Sequence, residues 1–317
     1  MAENNETRSR LLRWKDDETG KQWGTRLEDL DPEFVAETVR KLHTFFGPKR
    51  SYFTTDVVGW DNLPDRNALV ICNHSGGTSI PDVWGLAVSW HDRFGADRPV
   101  HALAHEMVFA LDGLGSRFAR MGILRARRDV GEKVLGEWKR DLVVMPGGDL
   151  DAWRPWTERY KVRFSGRKGY AKLAIRSGAP IAPVAHAGAH DTLIVLTDGQ
   201  RMAAKLHFPE LFRAHIFPVH LSFPFGLSVG PFPHLPPPTR LRYRIGKTVD
   251  VPQLTPGQEP TQAMIDEVDL AVRTELQAQL DVLRDQHEGV RDKVKYLANR
   301  LRGRVSVALG RFPLAAK

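Results

Sequence analysis

Val70-Ile71-Cys72-Asn73-His74-Ser75-Gly76-Gly77-Thr78-Ser79-Ile80-Pro81-Asp82 is the stretch on which the reading of this chain turns. The apolar run from Ala68 to Cys72 predicts a short buried strand. Asn73-His74 closes it, a glycine pair follows, and Pro81 suits the first turn of a helix with Ser79 as its N-cap. A histidine is thus presented at a strand end, beside glycines that let a ligand approach the backbone. Asp82 falls in the first turn of the helix. A base on a rigid strand end, oriented by a nearby carboxylate, is what removal of a hydroxyl proton requires. Eight residues of straight helix span about 12 Å along the axis, too far for a hydrogen bond. Asp82 can therefore serve His74 only if the glycines fold the chain back. The alternative is a strand-end histidine satisfied by backbone groups and followed by a helix cap.

Working outward, apolar positions at helical spacing predict a helix from Pro32 to Phe46, stopped by Gly47-Pro48. Residues 51–58 alternate as a strand. Beyond the opening stretch, helices are expected over Asp82–Trp90, Leu114–Met121, Gly131–Lys139 and Gly169–Ser177. Strands are expected over Pro99–Ala104, Leu142–Met145, Ile181–Ala185 and Leu241–Ile245, and a long helix over Thr261–His287. Strands alternating with helices imply an α/β fold with a mainly parallel central sheet flanked by helices, with helical additions at both termini. Such sheets bind ligands at the C-terminal ends of their strands, where His74, Gly147-Gly148 and Gly188 would share a cleft. Residues 207–238 mix six phenylalanines with many prolines and read as irregular, either an extended cover packed on the core, or the wall of an acyl-chain pocket or a lip that touches membrane.

The chain has 317 residues, 42% hydrophobic and 26% charged, enough for one domain with a substantial core. The single cysteine, Cys72, excludes a disulfide framework, and its place beside His74 raises the question of a thiol nucleophile. Residues 1–30 read as a polar, loosely held arm without a signal-peptide core, and no apolar run is long enough to span a membrane. A cytoplasmic, membrane-peripheral protein is expected. The net charge of +8 suggests anionic partners. His101, His105 and Glu106 are not in the order of a His-Glu-x-x-His site, so no metal is expected there.

Three further blocks carry chemistry. Gly122-Ile123-Leu124-Arg125-Ala126-Arg127-Arg128-Asp129 concentrates guanidinium groups that can grip phosphate oxygens. Met145-Pro146-Gly147-Gly148-Asp149-Leu150-Asp151-Ala152-Trp153-Arg154 places a glycine pair after a buried strand, where backbone N–H groups can approach an oxyanion. Gly166-Arg167-Lys168-Gly169-Tyr170-Ala171-Lys172 opens a helix and runs on to Gly178-Ala179-Pro180-Ile181.

Taken with Asn73-His74 to Asp82, these blocks resemble, in order and spacing over roughly residues 50–250, the glycerolipid acyltransferase superfamily. The first looks like the His-x4-Asp block, here with Asp82 eight residues on and Ser79 in the expected slot. The glycine-pair and Arg-Lys-Gly blocks are similar to those of the diacylglycerol acyltransferase type 2 branch, with Met145 for its phenylalanine and Asp151 for its glutamate. The resemblance implies transfer of a fatty acyl group from acyl-CoA, a co-substrate, to the hydroxyl of a lysophospholipid or diacylglycerol, with no cofactor. It implies His74 as base, Asp82 as its partner, Gly147 and Gly148 at the oxyanion, and Arg128, Arg154, Arg167 and Lys168 on phosphate or head group.

From Gly289 the chain carries eight basic side chains against one acidic, with apolar residues at helical spacing, a basic amphipathic tail expected to bind an anionic membrane surface rather than nucleic acid. The domain itself is expected over 31–288. Two competing readings are a non-catalytic membrane-associated lipid-binding protein on the same fold, and a serine esterase built on Gly226-Leu227-Ser228-Val229-Gly230. The prolines after that motif oppose the helix it needs.

Overall fold

The computed structural model describes residues 23–286, apart from 49–50, 110–112, 210–213, 233 and 256. The expected basic tail lies outside the described residues, as do residues 1–22 of the expected arm. In chain order the strands are β1 (Phe46–Gly47), β2 (Phe53–Val58), β3 (Leu69–Cys72), β4 (Val100–Ala104), β5 (Ile123–Arg125), β6 (Asp141–Val144), β7 (Ile181–Ala187), β8 (Leu193–Thr197), β9 (Val219–Ser222), β10 (Gly226–Val229) and β11 (Arg240–Ile245). The α-helices are α1 (Pro32–Leu42), α2 (Pro81–Phe94), α3 (Leu114–Arg120), α4 (Arg128–Glu132), α5 (Gly148–Ala152), α6 (Gly169–Ser177), α7 (Gln200–Lys205) and α8 (Gln262–Asp285).

One sheet holds eight strands in the order β1-β2-β11-β7-β3-β6-β4-β5. All neighbours are parallel except β11 against β7, so the sheet is mainly parallel as the alternation of elements predicts. The continuous apolar run of β3 is explained by its central place, since both its faces are buried. Leu69 and Ile71 join Leu142, Ile181, Leu276 and Leu280 under α6 and α8. Val70 and Cys72 join Leu86, Trp90, Leu241 and Tyr243 under α2. Burial, with the negative charge of Asp82 adding to it, pushes the Cys72 thiol far above its usual range, which leaves no reactive thiolate and disposes of the thiol-nucleophile reading.

Three differences from expectation have physical causes. The helix expected over Gly131–Lys139 begins three residues earlier as α4 and widens at Lys133–Glu137 into a π-helical turn. Residues 23–30 are packed rather than loose: Arg125 donates from its Nε to the Trp23 carbonyl at 2.8 Å, and its backbone N–H bonds Gly24 at 2.9 Å. The region 207–238 is not wholly irregular, because β8, β9 and β10 pair into a second, antiparallel sheet. Its inner face packs Leu193 and Val195 on Leu150, Ala152 and Trp153 of the α5 segment. Ser228 lies within β10, with no strand-to-helix turn at it, so the esterase elbow is absent.

Candidate active site

The loop after β3 does what the eight-residue spacing demanded. Gly76 and Gly77 take positive φ of 96° and 61°, a single 3-10 turn spans Gly77–Ser79, and Ile80 follows in the left-handed region at φ 39°. A β-branched residue there is strained, and the strain sits at the entrance of α2. Ile80, not Ser79, is the N-cap of α2, and the Ser79 hydroxyl donates instead to the His234 carbonyl at 3.2 Å. This reversal brings Asp82 back under His74. Oδ2 of Asp82 lies 2.6 Å from His74 Nδ1 and also accepts the Ser75 backbone N–H at 3.0 Å. The Asp82 side chain is 0% exposed, whereas the His74 side chain is 12% exposed. With Nδ1 engaged by the carboxylate, Nε2 is the nitrogen that can meet a substrate hydroxyl. Burial disfavours the imidazolium, but the Asp82 charge and hydrogen bond outweigh it and raise the His74 pKa above that of a free imidazole. The reciprocal effect holds Asp82 below the usual carboxylate range despite its burial.

A second carboxylate, whose role was open from sequence, completes the frame. Asp151, in the last turn of α5, accepts the His74 backbone N–H at 2.6 Å. Arg154 lies 3.3 Å from Asp151 with a side chain only 2% exposed, and it donates from Nη2 to the His74 carbonyl at 3.1 Å. It also donates to the Lys161 carbonyl. Both backbone polar groups of His74 are thereby clamped by one buried ion pair. Gly147 permits the clamp, since a Cβ there would lie 2.3 Å from that of Asp151. Burial raises the Asp151 pKa even against the neighbouring Arg154 charge.

Beneath the loop lies a network that sequence reading missed. Asn73 spans to β7, donating to the His186 carbonyl at 2.9 Å and accepting its N–H at 2.8 Å. His186 Nε2 is 2.9 Å from the Ser75 hydroxyl and 3.7 Å from Asp82 Oδ2. Burial pushes the His186 pKa down to about 4, opposed by Asp82, so the ring is neutral near neutral pH. Tyr243 of β11 donates its hydroxyl to the Asp82 carbonyl at 2.8 Å. The signal for His186 was its position on the all-buried strand before Gly188, a polar residue in an apolar run.

The four expected phosphate ligands are not gathered at His74. Arg154 is buried in the clamp. Arg167 ties the β6 loop, donating to the Gly147 carbonyl at 2.9 Å and pairing with Asp149 at 3.1 Å. Lys168 pairs with Asp266 of α8 at 2.8 Å. Arg128 is exposed beside Glu132 at 3.3 Å, just after β5, which is three strands or about 14 Å across the sheet from β3. Of the glycine pair, Gly148 already donates its N–H to Met145 at 3.0 Å. His101 faces the Gly122 carbonyl at 3.1 Å, and Glu106 pairs with Arg125.

An apolar cavity of about 260 Å³ lies between α1, α2 and the β4–β6 part of the sheet. Val83 and Trp84 of α2 and Met145 after β6 line it, whereas His74 and Asp82 do not.

Residues 54–187 match the family model for acyltransferases, the span that carries both His74 and Asp151. Over that span the chain carries an acyltransferase-family segment. It is 31% identical over 221 residues to an uncharacterised protein of Mycobacterium tuberculosis, covering 69% of this chain and 58% of that one. It is 29% identical over 221 residues to an uncharacterised protein of Mycobacterium leprae, covering 69% and 57%. Over 193 residues it is 28% identical to a Gallus gallus protein named as a DGAT1/2-independent enzyme synthesizing storage lipids, covering 60% and 55%. The chain thus spans somewhat over half the length of these relatives. A solved structure of the 1-acyl-sn-glycerophosphate (LPA) acyltransferase PlsC from Thermotoga maritima superposes with a TM-score of 0.47 at 16% identity, over 80% of this chain and 83% of that one.

Proposed function

We propose that this protein transfers a fatty acyl group from acyl-CoA to the hydroxyl of a glycerolipid acceptor, a lysophospholipid or diacylglycerol, with His74 as base. The observation that carries this reading is the 2.6 Å contact of His74 Nδ1 with fully buried Asp82, which leaves Nε2 of the partly exposed ring for a substrate at a strand end. His74 Nε2 takes the acceptor hydroxyl proton as the oxygen attacks the thioester carbonyl carbon. The tetrahedral intermediate collapses, the carbon–sulfur bond breaks, and the departing thiolate recovers the proton from the imidazolium. Asp82 fixes the tautomer and stabilises the transient charge on the ring. The N–H of Gly147 is the candidate oxyanion donor, and the apolar cavity beside Val83 suits the acyl chain. Arg128, exposed just after β5 and some way across the sheet from His74, suits the phosphates of an extended donor.

The test is release of free CoA from a long-chain acyl-CoA, with lysophospholipids and diacylglycerol offered in vesicles. Acceptor-dependent release that falls about 10² or more in His74→Ala is expected. Lipid binding without CoA release, or a His74→Ala variant as fast as the wild type, overturns it.

A further inference from the structure

In an antiparallel sheet with one solvated face, outward positions are ordinarily polar. The β8–β9–β10 sheet departs from this. Its inner face is occupied by the packing on α5, and its outer face is apolar as well. Ile194, Leu221 and Leu227 are in register across the three strands and all exposed, Leu227 by 64%. Val229, paired with Val219, extends the row. The turn joining β9 to β10 carries Phe223 and Phe225, 63% and 64% exposed. A continuous exposed apolar face of this kind marks an interaction surface rather than scattered surface residues.

We propose that this outer face, with its aromatic turn, is the surface on which the protein docks to a bilayer containing anionic phospholipid. Three observations select a bilayer. First, Arg201 and Lys205 of α7 border one shallow depression with Val219 and Val229, so the apolar face has a cationic rim, the pattern that suits an anionic lipid interface. A second copy on the same face would share an isologous interface and bring these cations into it together. Second, aromatic rings at the tip of an exposed turn are the residues that settle at the boundary of head groups and acyl chains. Third, the segment that leaves β10 is fastened to the loop that carries His74: Thr78 donates to the Pro231 carbonyl at 3.0 Å and Ser79 to that of His234 at 3.2 Å. The docked sheet is therefore tied directly to that loop. The inference deepens the proposed function, since it supplies the lipid surface from which the acceptor reaches the site.

The test is sedimentation with phosphatidylcholine–phosphatidylglycerol vesicles, without acyl donor, so that binding is read independently of turnover. The full chain binds. The Phe223→Ser/Phe225→Ser double variant and Leu221→Glu each weaken partitioning by about tenfold or more, and His74→Ala binds as the wild type does. Arg201→Glu/Lys205→Glu weakens binding to these vesicles but not to pure phosphatidylcholine. Because Cys72 is buried, Phe225→Cys offers a selective site for an environment-sensitive dye, whose emission shifts to the blue on vesicles and is quenched by lipids spin-labelled high on the acyl chain. A double variant that sediments like the wild type, or a dye that stays in water on bound vesicles, overturns the proposal. So does a dimer that the double variant dissociates while vesicle binding is unchanged. Vesicle binding that behaves as expected in a protein that releases no CoA leaves the docking surface standing and removes the proposed function.

Discussion

Asp82→Asn separates charge from geometry at the proposed base. Oδ2 of Asp82 accepts both His74 Nδ1 and the Ser75 N–H, while Oδ1 is buried without a partner. An asparagine oxygen can hold the Oδ2 position and both hydrogen bonds, with its amide in place of the unpartnered oxygen, so the loss is the negative charge. In proteases with an orienting aspartate this substitution costs about 10⁴ in rate, and general-base contributions span about 10² to 10⁴. A plateau loss in that range corresponds to about 2.7–5.4 kcal/mol of transition-state stabilisation. The pH profile supplies the second reading. Activity needs neutral His74, so the wild-type rate rises as pH climbs through a pKa above that of free imidazole. Without Asp82 the burial of His74 is opposed only by the weaker Asp151 charge, its pKa falls, and the acid limb moves to lower pH. The wild-type to variant ratio is therefore largest on the alkaline plateau and shrinks toward acid. The assay is the initial rate of CoA thiol release across the imidazole titration, read with a thiol-reactive chromophore that buried Cys72 does not consume. A plateau rate near wild type, or an acid limb that stays in place, refutes the dyad.

Arg154→Ala leaves Asp151 buried without its counter-charge and should destabilise the protein by about 3–5 kcal/mol, seen as a lower denaturant midpoint at unchanged slope. If Arg154 instead serves bound phosphate, stability holds and KM for the donor rises. Ala87 lines the apolar cavity, so Ala87→Phe should shift the preference among competing acyl-CoA donors toward shorter chains. A chain-length profile that does not move places the acyl group elsewhere.

The sequence by itself determined the elements. The period-2 and period-3.6 patterns located six of the eight strands of the large sheet but not β5, nor β1, which replaces the end of the helix expected over Pro32–Phe46; the all-apolar β3 could only be a central strand with both faces covered. It also exposed His74, because a titratable residue directly after such a strand stands at the ligand-binding end of a parallel sheet. The second sheet was hidden, since Phe223-Pro224-Phe225 interrupts it between β9 and β10 and its alternation is inverted, with His220, Ser222 and Ser228 turned inward and Leu221, Leu227 and Val229 outward. Only the tertiary structure decided the partners. Asp82 meets His74 through left-handed residues whose combined turn no local spacing rule encodes. Asp151, Arg154, His186 and Tyr243 come from 77 to 169 residues beyond His74 and converge because β3 lies between β6 and β7, with β11 on the far side of β7. Hydrogen bonds of 2.6–3.1 Å depend on that strand order and on which side chains burial forces together, information that exists only once the sheet has closed its core.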